Sequence, residues 1–316
     1  IILVILTKLS ARSMATFLIR ARHVVAVMAF TFTVLLFWSL LLGGVPFSPP
    51  PPPPPSPPPF SKVADRLFVG RHILSGKNFF TFDPTVDIHV SYHMLTTGGI
   101  FDEHVMRAFD VSASSLLSGP HEGIVLDVGS NLGCLSLHAG IKGYKVHAFD
   151  IQASVLARLS LSVESHGLEN RIYTHRLAIS NDTDIALKRF DMFPENPGGV
   201  GAGQKGEIPV YTARLDDIYS QGEVIAFMKI DTEGGELGVL QSADRLLRTG
   251  RILSLVSEVR SHQASIAKLL LRYRYKCRLL KDTLVESCPT ESSLYDLVAD
   301  IEAIPRDRFD DMFCCR

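Results

Sequence analysis

Residues 124–133 read Ile-Val-Leu-Asp-Val-Gly-Ser-Asn-Leu-Gly, a short apolar run that is followed by an acid and a glycine-spaced turn. Its first three residues suit a strand that is buried on both faces of a parallel sheet. Gly129 and Gly133 allow the backbone to turn tightly and to approach a ligand at the N-terminus of the next helix. The stretch therefore predicts the entry to a pocket for a nucleotide-type cofactor.

A second apolar run, Val146 to Phe149, ends in Asp150. An acid about 20 residues beyond the first glycines is the expected partner of a ribose hydroxyl. A dinucleotide fingerprint needs glycines spaced as G-x-G-x-x-G, whereas this loop has Gly129 and Gly133 separated by Asn131, so the spacing argues against NAD. It is similar to the loop of class I S-adenosylmethionine (SAM) methyltransferases. A glycine turn of an unrelated α/β protein is the alternative.

A second motif reads Phe-Met-Lys-Ile-Asp-Thr-Glu-Gly-Gly-Glu at residues 227–236. A buried strand here would carry Lys229, Asp231 and Glu233 to its carboxyl end, before an amphipathic helix begins. Open α/β sheets bind their ligands outside the carboxyl ends of the strands. The motif therefore predicts that these side chains border the ligand.

Four motifs in order resemble the FkbM family of SAM-dependent methyltransferases: Asp-Val-Gly-Ser-Asn-Leu-Gly, His-Ala-Phe-Asp, Leu-Asp-Asp-Ile and Lys-Ile-Asp-Thr-Glu-Gly-Gly-Glu. The resemblance covers roughly residues 95 to 260. Two positions depart from the family pattern, since Asp150 stands where Glu is common and Gly235 where a small residue such as Ala is usual. The resemblance implies a methyltransferase with SAM as its cofactor.

The motifs and the resemblance together predict the site. The cofactor-binding candidates are Asp127, Gly129, Asn131, Gly133, Asp150, Ile151, Ala178 and Asp231. The catalytic candidates are Asp231, Glu233, Glu258 and His262. For Asp231 the alternative is an N-cap of the following helix. No metal site is predicted, although magnesium-assisted transfer through Asp231 and another carboxylate stays open.

Alternation of strands and helices predicts an α/β fold with a doubly wound, mostly parallel Rossmann-like sheet. Predicted strands, apart from residues 124–126, are 146–149, 171–179, 208–215, 226–231 and 252–259; predicted helices are 134–141, 155–164, 237–247 and 264–273. Residues 294–301 are predicted as a closing edge strand. We expect residues 60 to 110 to form a lead-in segment that packs over the pocket. Four of its side chains are candidates for contact with the substrate. The alternative to that role is, for each of them, an exposed polar residue on the surface of a helix. The candidates are Tyr92, His93, Glu103 and His104.

The N-terminal part of the chain predicts a membrane anchor. Val24 to Leu42 contains no charged residue and is close to the ~20 residues that cross a bilayer. We expect a short basic cytosolic tail at 1–23, a transmembrane signal anchor at 24–43, and a lumenal domain, because basic residues precede the run. The alternative is an Arg-rich transit sequence for another organelle.

A proline-rich linker at 44–60 separates this anchor from a methyltransferase domain at 61–316. Such a tract favours extended polyproline II and acts as a spacer, with a docking ligand for a partner as the alternative. The predicted topology is a single-pass type II protein of the Golgi or another secretory membrane. A net charge of −1 provides no basic field for nucleic acid, so none is expected as a partner.

The five cysteines fit that compartment. Cys134 follows the glycine loop and is expected to pack as a small hydrophobe. A secretory lumen would permit disulfides among the other four, and the sequence leaves their pairing open. These four are Cys277, Cys288, Cys314 and Cys315. A glycosylation sequon begins at Asn181, and we expect Asn181 to be unmodified or to point away from the pocket.

Two function classes remain. The segment at the end of the predicted strand 226–231, Asp-Thr-Glu-Gly at residues 231–234, lacks the Asn-Pro-Pro-Tyr or Asp-Pro-Pro-Tyr pattern of methyltransferases that act on base amines. The first class is therefore an O-methyltransferase that acts on a hydroxyl of a glycan or small metabolite. The second is a membrane-tethered SAM-binding or scaffold protein without catalytic activity.

Overall fold

The computed structural model describes residues 67–120, 122–182, 187–192, 200–201, 208–260, 263–280, 285–291 and 293–316. The predicted anchor at 24–43 and the linker at 44–60 lie outside these ranges. Among the described helices, none combines the length and the apolar character that a bilayer crossing requires.

Thirteen strands and nine helices are present in the described residues. The strands are β1 Phe68–Arg71, β2 Asn78–Thr81, β3 Ile124–Val128, β4 Lys145–Asp150, β5 Ile172–Arg176, β6 Ala178–Ile179, β7 Leu187–Met192, β8 Val200–Gly201, β9 Ile208–Ala213, β10 Ile225–Ile230, β11 Ser254–Val259, β12 Lys276–Leu279 and β13 Asp310–Cys315. The helices are α1 Val90–Thr97, α2 Glu103–Leu116, α3 Cys134–Ile141, α4 Ala153–His166, α5 Leu215–Ile218, α6 Glu236–Ser242, α7 Asp244–Thr249, α8 Ala264–Arg272 and α9 Leu294–Glu302.

Seven strands form the central sheet in the order β12-β13-β11-β10-β3-β4-β5. The five strands from β11 to β5 are parallel to their neighbours, whereas β13 runs antiparallel to both β11 and β12. This confirms the predicted α/β class and the large, mostly parallel sheet. A smaller sheet has the order β6-β9-β7-β8.

Helices cover both faces of the central sheet, because the strands are apolar on both sides. Val125 and Phe227 pack in one core with buried residues of α1 to α4. Leu126 and Met228, the next residues along the same strands, pack in the opposite core with residues of α6 to α9. Alternation along each strand thus gives each face its own helix layer, as a doubly wound fold requires.

Several predicted elements have the expected place. The helix at 134–141 has the predicted bounds, and β4, β9, β10, β11 and α8 match their predictions within a few residues. The single strand predicted at 171–179 is divided, because β5 pairs with β4 in the central sheet whereas β6 pairs with β9 in the smaller one. The helix predicted at 237–247 is interrupted at Ala243, which separates α6 from α7.

The predicted edge strand at 294–301 is wrong, since this segment is helix α9. Leu294, Leu297 and Ile301 recur at helical rather than alternating spacing. The hydroxyl of Ser293 also caps the helix by accepting a hydrogen bond from the amide of Asp296. The edge of the sheet is formed instead by β12, which is paired with β13.

The lead-in segment packs on the α4 side of the sheet as a hairpin, β1 and β2, followed by α1 and α2. The guanidinium of Arg158 is wholly buried there and donates through Nε to the carbonyl of Thr81 at 3.1 Å. Its carbon also lies 3.6 Å from the ring centroid of Phe82. A buried cation of α4 therefore connects the hairpin to the helix layer on this face of the central sheet.

Two disulfides join the last strands: Cys277 to Cys314, and Cys288 to Cys315. The first joins directly opposed residues of β12 and β13. The second connects β13 to the segment after β12. Cys134, in contrast, is a buried free thiol, as expected.

We predict that replacing both Cys288 and Cys315 by Ala lowers the free energy of unfolding by about 2 to 4 kcal/mol, because the unfolded chain regains the freedom of the open loop. Urea titration under oxidising conditions measures the change. In excess reductant the two proteins should unfold at similar urea concentrations. Equal stability of the two under oxidising conditions would contradict the paired state.

Candidate functional site

A cavity of about 360 Å³ lies at the carboxyl ends of β3, β4, β6 and β10. This is the edge of a parallel sheet where ligands bind. One part of its wall is apolar, and the other carries polar and charged side chains. Its lining residues include Phe149, Asp150, Ile151, Leu177, Ala178, Ile179, Asp231 and Glu233.

The glycine loop forms one wall of the cavity, and two of its positions require glycine. Gly129 has a φ of 79°, and a Cβ atom there would lie 1.6 Å from the carbonyl oxygen of Asp231. Gly133 also has a left-handed backbone, and its Cβ would collide with the side chain of Leu159. Because only glycine tolerates both constraints, the loop can pass directly between β3 and the start of α3.

Asp150 lies where the sequence predicted it, at the end of β4 and on the cavity wall. Its carboxylate accepts hydrogen bonds from the amides of Asn131 and Gln152, both at 2.9 Å. Burial raises the pKa of Asp150 to about 6, against the opposing effect of these amides. The carboxylate is thus held in place by two loops, with acceptor capacity left for a hydroxyl.

Asp127, another cofactor-binding candidate, is a buried residue of β3. It is 1% exposed and does not line the large cavity. One carboxylate oxygen accepts from the amide and hydroxyl of Ser136, at 3.2 and 2.6 Å, within the first turns of α3. Gly129 and Asn131 line the large cavity, whereas Gly133, the N-cap of α3, does not.

The second motif is held by a glutamate that sequence reasoning did not select. Glu236 is fully buried, and its Oε1 accepts from the amides of Thr232 and Gly234, both at 3.0 Å. Its Oε2 accepts from the side-chain amide of Gln263 at 2.8 Å. These bonds fix the turn after β10, in which Glu233 adopts a left-handed φ of 53°. The sequence signal for Glu236 was its place as the last residue of the motif at 227–236.

Asp231 is paired with Lys229 rather than capping a helix. The Lys229 ammonium lies 3.0 Å from the Asp231 carboxylate and 3.4 Å from the carbonyl of Gly129. The N-cap of α6 is Gly235, without a side-chain capping bond. Burial alone would lower the pKa of Lys229, but the carboxylates of Asp231, Asp127 and Asp102 raise it well above its ordinary value. Lys229 therefore stays charged and orients Asp231.

Glu233 and Glu258 share one cation. Arg260 donates to Glu233 at 3.2 Å and to Glu258 at 3.4 Å. Burial, followed by the charge of Asp231, raises the pKa of Glu258 to about 8 and raises that of Glu233. Glu233 lines the large cavity and Glu258 does not. The fourth catalytic candidate, His262, lies outside the described residues.

The four lead-in candidates do not line the large cavity. Tyr92 and His93 are exposed on α1, and Glu103 forms a surface ion pair with Arg107. His104 lies 2.5 Å from the carboxylate of Asp311. The neighbouring Asp102, which sequence reasoning missed, faces Lys229 and Asp231 at a smaller cavity.

Ile151 and Ala178, two of the cofactor-binding candidates, line the apolar part of the large cavity. Asn181 does not line it. Its side-chain amide donates to Gln241 at 3.3 Å, and its side-chain oxygen accepts from Arg214 at 2.5 Å. These bonds hold the sequon asparagine beside the cavity rather than in it.

Residues 127–277 match the model of the methyltransferase FkbM domain. This segment is an FkbM methyltransferase domain. The match confirms, for this segment, the family predicted from the four motifs, which is a family of methyltransferases that use SAM. No curated protein matches the sequence.

Among solved structures, the chain is similar to three methyltransferases. A SAM-dependent methyltransferase from Agrobacterium tumefaciens is 13% identical, with 80% of this chain and 71% of that chain covered and a TM-score of 0.42. An rRNA methylase from Streptococcus thermophilus is 14% identical, with 69% of this chain and 98% of that chain covered and a TM-score of 0.38. A precorrin-6y C5,15-methyltransferase from Geobacter metallireducens is 10% identical, with 66% of this chain and 88% of that chain covered and a TM-score of 0.36. At these values the similarities carry no argument about substrate.

The polar groups of the FkbM site are arranged as ion pairs. The described residues contain no group of three or more His, Cys, Asp or Glu side chains that could hold a metal ion. The carboxylates of Asp231 and Glu233 are instead paired with Lys229 and Arg260.

We predict that Lys229→Met destabilises the FkbM domain by about 3 to 5 kcal/mol at pH 7.5, because the carboxylates around it lose their buried counter-charge. At pH 5 the loss should be smaller, since protonation of the carboxylates removes part of the repulsion. Urea denaturation at both pH values measures this. Arg107→Met, which removes a surface partner of Glu103, is the control with little effect. A loss that does not change with pH would contradict the role of charge.

Proposed function

We propose that the protein transfers the SAM methyl group to a hydroxyl of a glycan or small metabolite. The observation that supports this most strongly is that one cavity contains both kinds of surface that the reaction needs. It has a buried carboxylate, Asp150, at its apolar part and two carboxylates, Asp231 and Glu233, at the end of β10. The first arrangement suits an adenosine with its ribose, and the second suits an acceptor that must lose a proton.

The residues present fit the cofactor. Gly234 and Gly238 line the cavity, and a Cβ atom at either would meet nothing within 4 Å. The cavity is therefore open beside these two glycines. Phe149 and Ile179 provide apolar surface for a purine, and Asp150 provides an acceptor for ribose hydroxyls.

When bound, SAM supplies an electrophilic methyl group to a nucleophile that the protein must position and deprotonate. We assign the base to Glu233, because it lines the cavity and burial raises its pKa towards neutrality. Arg260 holds the Glu233 carboxylate, and Lys229 holds Asp231 beside it. Holding both groups before the acceptor arrives reduces the entropy that must be lost in the reaction.

A catalytically inactive SAM-binding or scaffold protein is the alternative. The buried carboxylates argue for catalysis, since a scaffold has no need for acids whose pKa is raised by burial, such as Glu258 at about 8. A labelled-methyl transfer assay of the full chain in detergent, against fractionated glycans and metabolites, separates the two. SAM binding without transfer to any fraction would favour the scaffold.

We further propose that the domain lies in a secretory lumen, behind a type II anchor in a Golgi or similar membrane. The support is the uncharged run at residues 24–42, the preceding basic residues and the two disulfides. Structural disulfides persist in oxidising compartments and are rare in the cytosol. A different organelle remains the alternative for the N-terminal segment.

We predict that Asp150→Ala weakens the binding of S-adenosylhomocysteine by about 10- to 100-fold, because a hydrogen bond to a charged acceptor contributes roughly 1.5 to 3 kcal/mol. Calorimetry with the full chain measures the affinity. Asp296→Ala, on the distant surface helix α9, is the control. Unchanged affinity of Asp150→Ala would remove this residue from the site.

For the base, we predict that Glu233→Gln lowers kcat by about 10²- to 10⁴-fold with little change in S-adenosylhomocysteine affinity. Glu258→Gln is the matched comparison, since Glu258 contacts the same guanidinium but does not line the cavity. We expect it to retain more activity than Glu233→Gln. The reverse order would transfer the assignment to Glu258.

The topology is tested in sealed microsomes. We predict that added protease spares the domain and removes only the basic tail, because the positive-inside rule leaves that tail in the cytosol. Detergent should then expose the domain to digestion, which shows that the protease was active. Digestion of the domain in sealed vesicles would reverse the orientation and indicate a cytosolic acceptor.

A further inference from the structure

An exposed phenylalanine lies beside the charged groups at the end of the central sheet. Phe309 directly precedes β13, which runs antiparallel to β11, and Asp310 is paired with Val259. Phe309 and Arg260 flank this pair, and the guanidinium carbon of Arg260 lies 5.6 Å from the centroid of the Phe309 ring. This distance is within the range of a cation–π contact. The ring therefore lies next to the cation that holds Glu233.

One face of this ring is open. Phe309 is 59% exposed, although its side chain has no polar atom. Among the described residues, every other exposed Phe, Tyr or Trp is a tyrosine, whose hydroxyl can bond to water. The Arg260 guanidinium can cover only one face of the Phe309 ring. The other face is thus an apolar surface that a ligand can cover.

Phe309 is also close to the base that we assign. Arg260 connects the two, since its Nη2 lies 3.2 Å from the Glu233 carboxylate and its guanidinium carbon faces the ring. Only the width of one guanidinium separates the ring from that carboxylate, and a six-membered ring that bears hydroxyls can reach from one to the other. Glu233 lines the large cavity, whereas Phe309 does not. An adenosine in the cavity would therefore leave the Phe309 ring free for an acceptor.

These groups together suit a neutral sugar. The face of an aromatic ring is negative, and the C–H groups on one face of a sugar ring are weakly positive, so the two stack. The Glu233 carboxylate accepts hydrogen bonds from hydroxyls. An anionic acceptor would instead compete with Glu233 for the Arg260 guanidinium.

We propose that Phe309 binds the acceptor by stacking on a neutral sugar ring of a glycan, and that this contact positions a sugar hydroxyl beside Glu233. The inference rests on the proposed function, because it needs SAM in the large cavity and Glu233 as the base. It narrows the acceptor from a glycan or small metabolite to a sugar. It also assigns acceptor binding to a residue outside the cofactor cavity.

Binding is tested by fluorescence, which does not depend on turnover. The only tryptophan of the chain is Trp38, in the predicted anchor. Phe309→Trp keeps a stacking face and adds a reporter, so neutral glycan fractions should shift its emission when S-adenosylhomocysteine is present. The full chain is kept in a detergent without a sugar head group. Tyr295→Trp, on the exposed surface of α9, is the matched control and should not respond.

Kinetics test whether the contact serves transfer. Phe309→Ala should raise KM for the glycan acceptor by about 10- to 100-fold, because the stacked apolar area is lost. It should change kcat by less than about threefold and leave S-adenosylhomocysteine affinity unaltered, which also shows that the variant is folded. Phe309→Tyr should restore most of the KM, and Tyr295→Ala should have no effect.

The outcomes separate this inference from the proposed function. Methyl transfer to a glycan with an unchanged KM in Phe309→Ala would overturn the inference and leave the function standing. Emission shifts with phenols but with no glycan fraction would overturn the assignment to a sugar. Wild-type protein that transfers the methyl group to no fraction would reject the proposed function, and the inference with it.

Discussion

The close approach of two backbone turns determines this site. At the ends of β3 and β10, Gly129 lies so near the carbonyl of Asp231 that no side chain fits between them. The two strands pair through Val128 and Ile230, so their turns emerge side by side. One turn then leads to Gly133, the N-cap of α3, and the other carries Asp231 and Glu233. Two walls of the large cavity therefore meet at one backbone contact.

Buried charges fix the rest of the site around that contact. Glu236 holds its own turn through backbone amides, and Lys229 connects Asp231 to the glycine loop. Arg260, on the neighbouring strand end, joins Glu233 to Glu258. Each of these carboxylates is thus oriented by at least one hydrogen-bond donor of the protein. Such an arrangement costs desolvation on folding, and it leaves the site already organised for a ligand.

Much of this was predictable from the sequence, because the main signals are local. Glycine spacing and an apolar run fix β3, the turn and α3, and they place Asp150 at the next strand end. The helix at 294–302 was missed because a short apolar segment was taken as a strand despite its helical spacing. Asp102 and Arg260 were also missed, since their roles depend on contacts between distant segments. No local pattern distinguishes such residues from surface charges.

The position of β13 bears on how the protein is made. This strand comes last in sequence among the described strands, yet it lies inside the sheet between β11 and β12. Until residue 315 has been synthesised, one side of β11 has unpaired amides and carbonyls, and a chain emerging from the ribosome presents that open strand to its surroundings. An exposed strand edge is a surface on which other chains can pair, so the unfinished chain is more exposed to aggregation than the complete one.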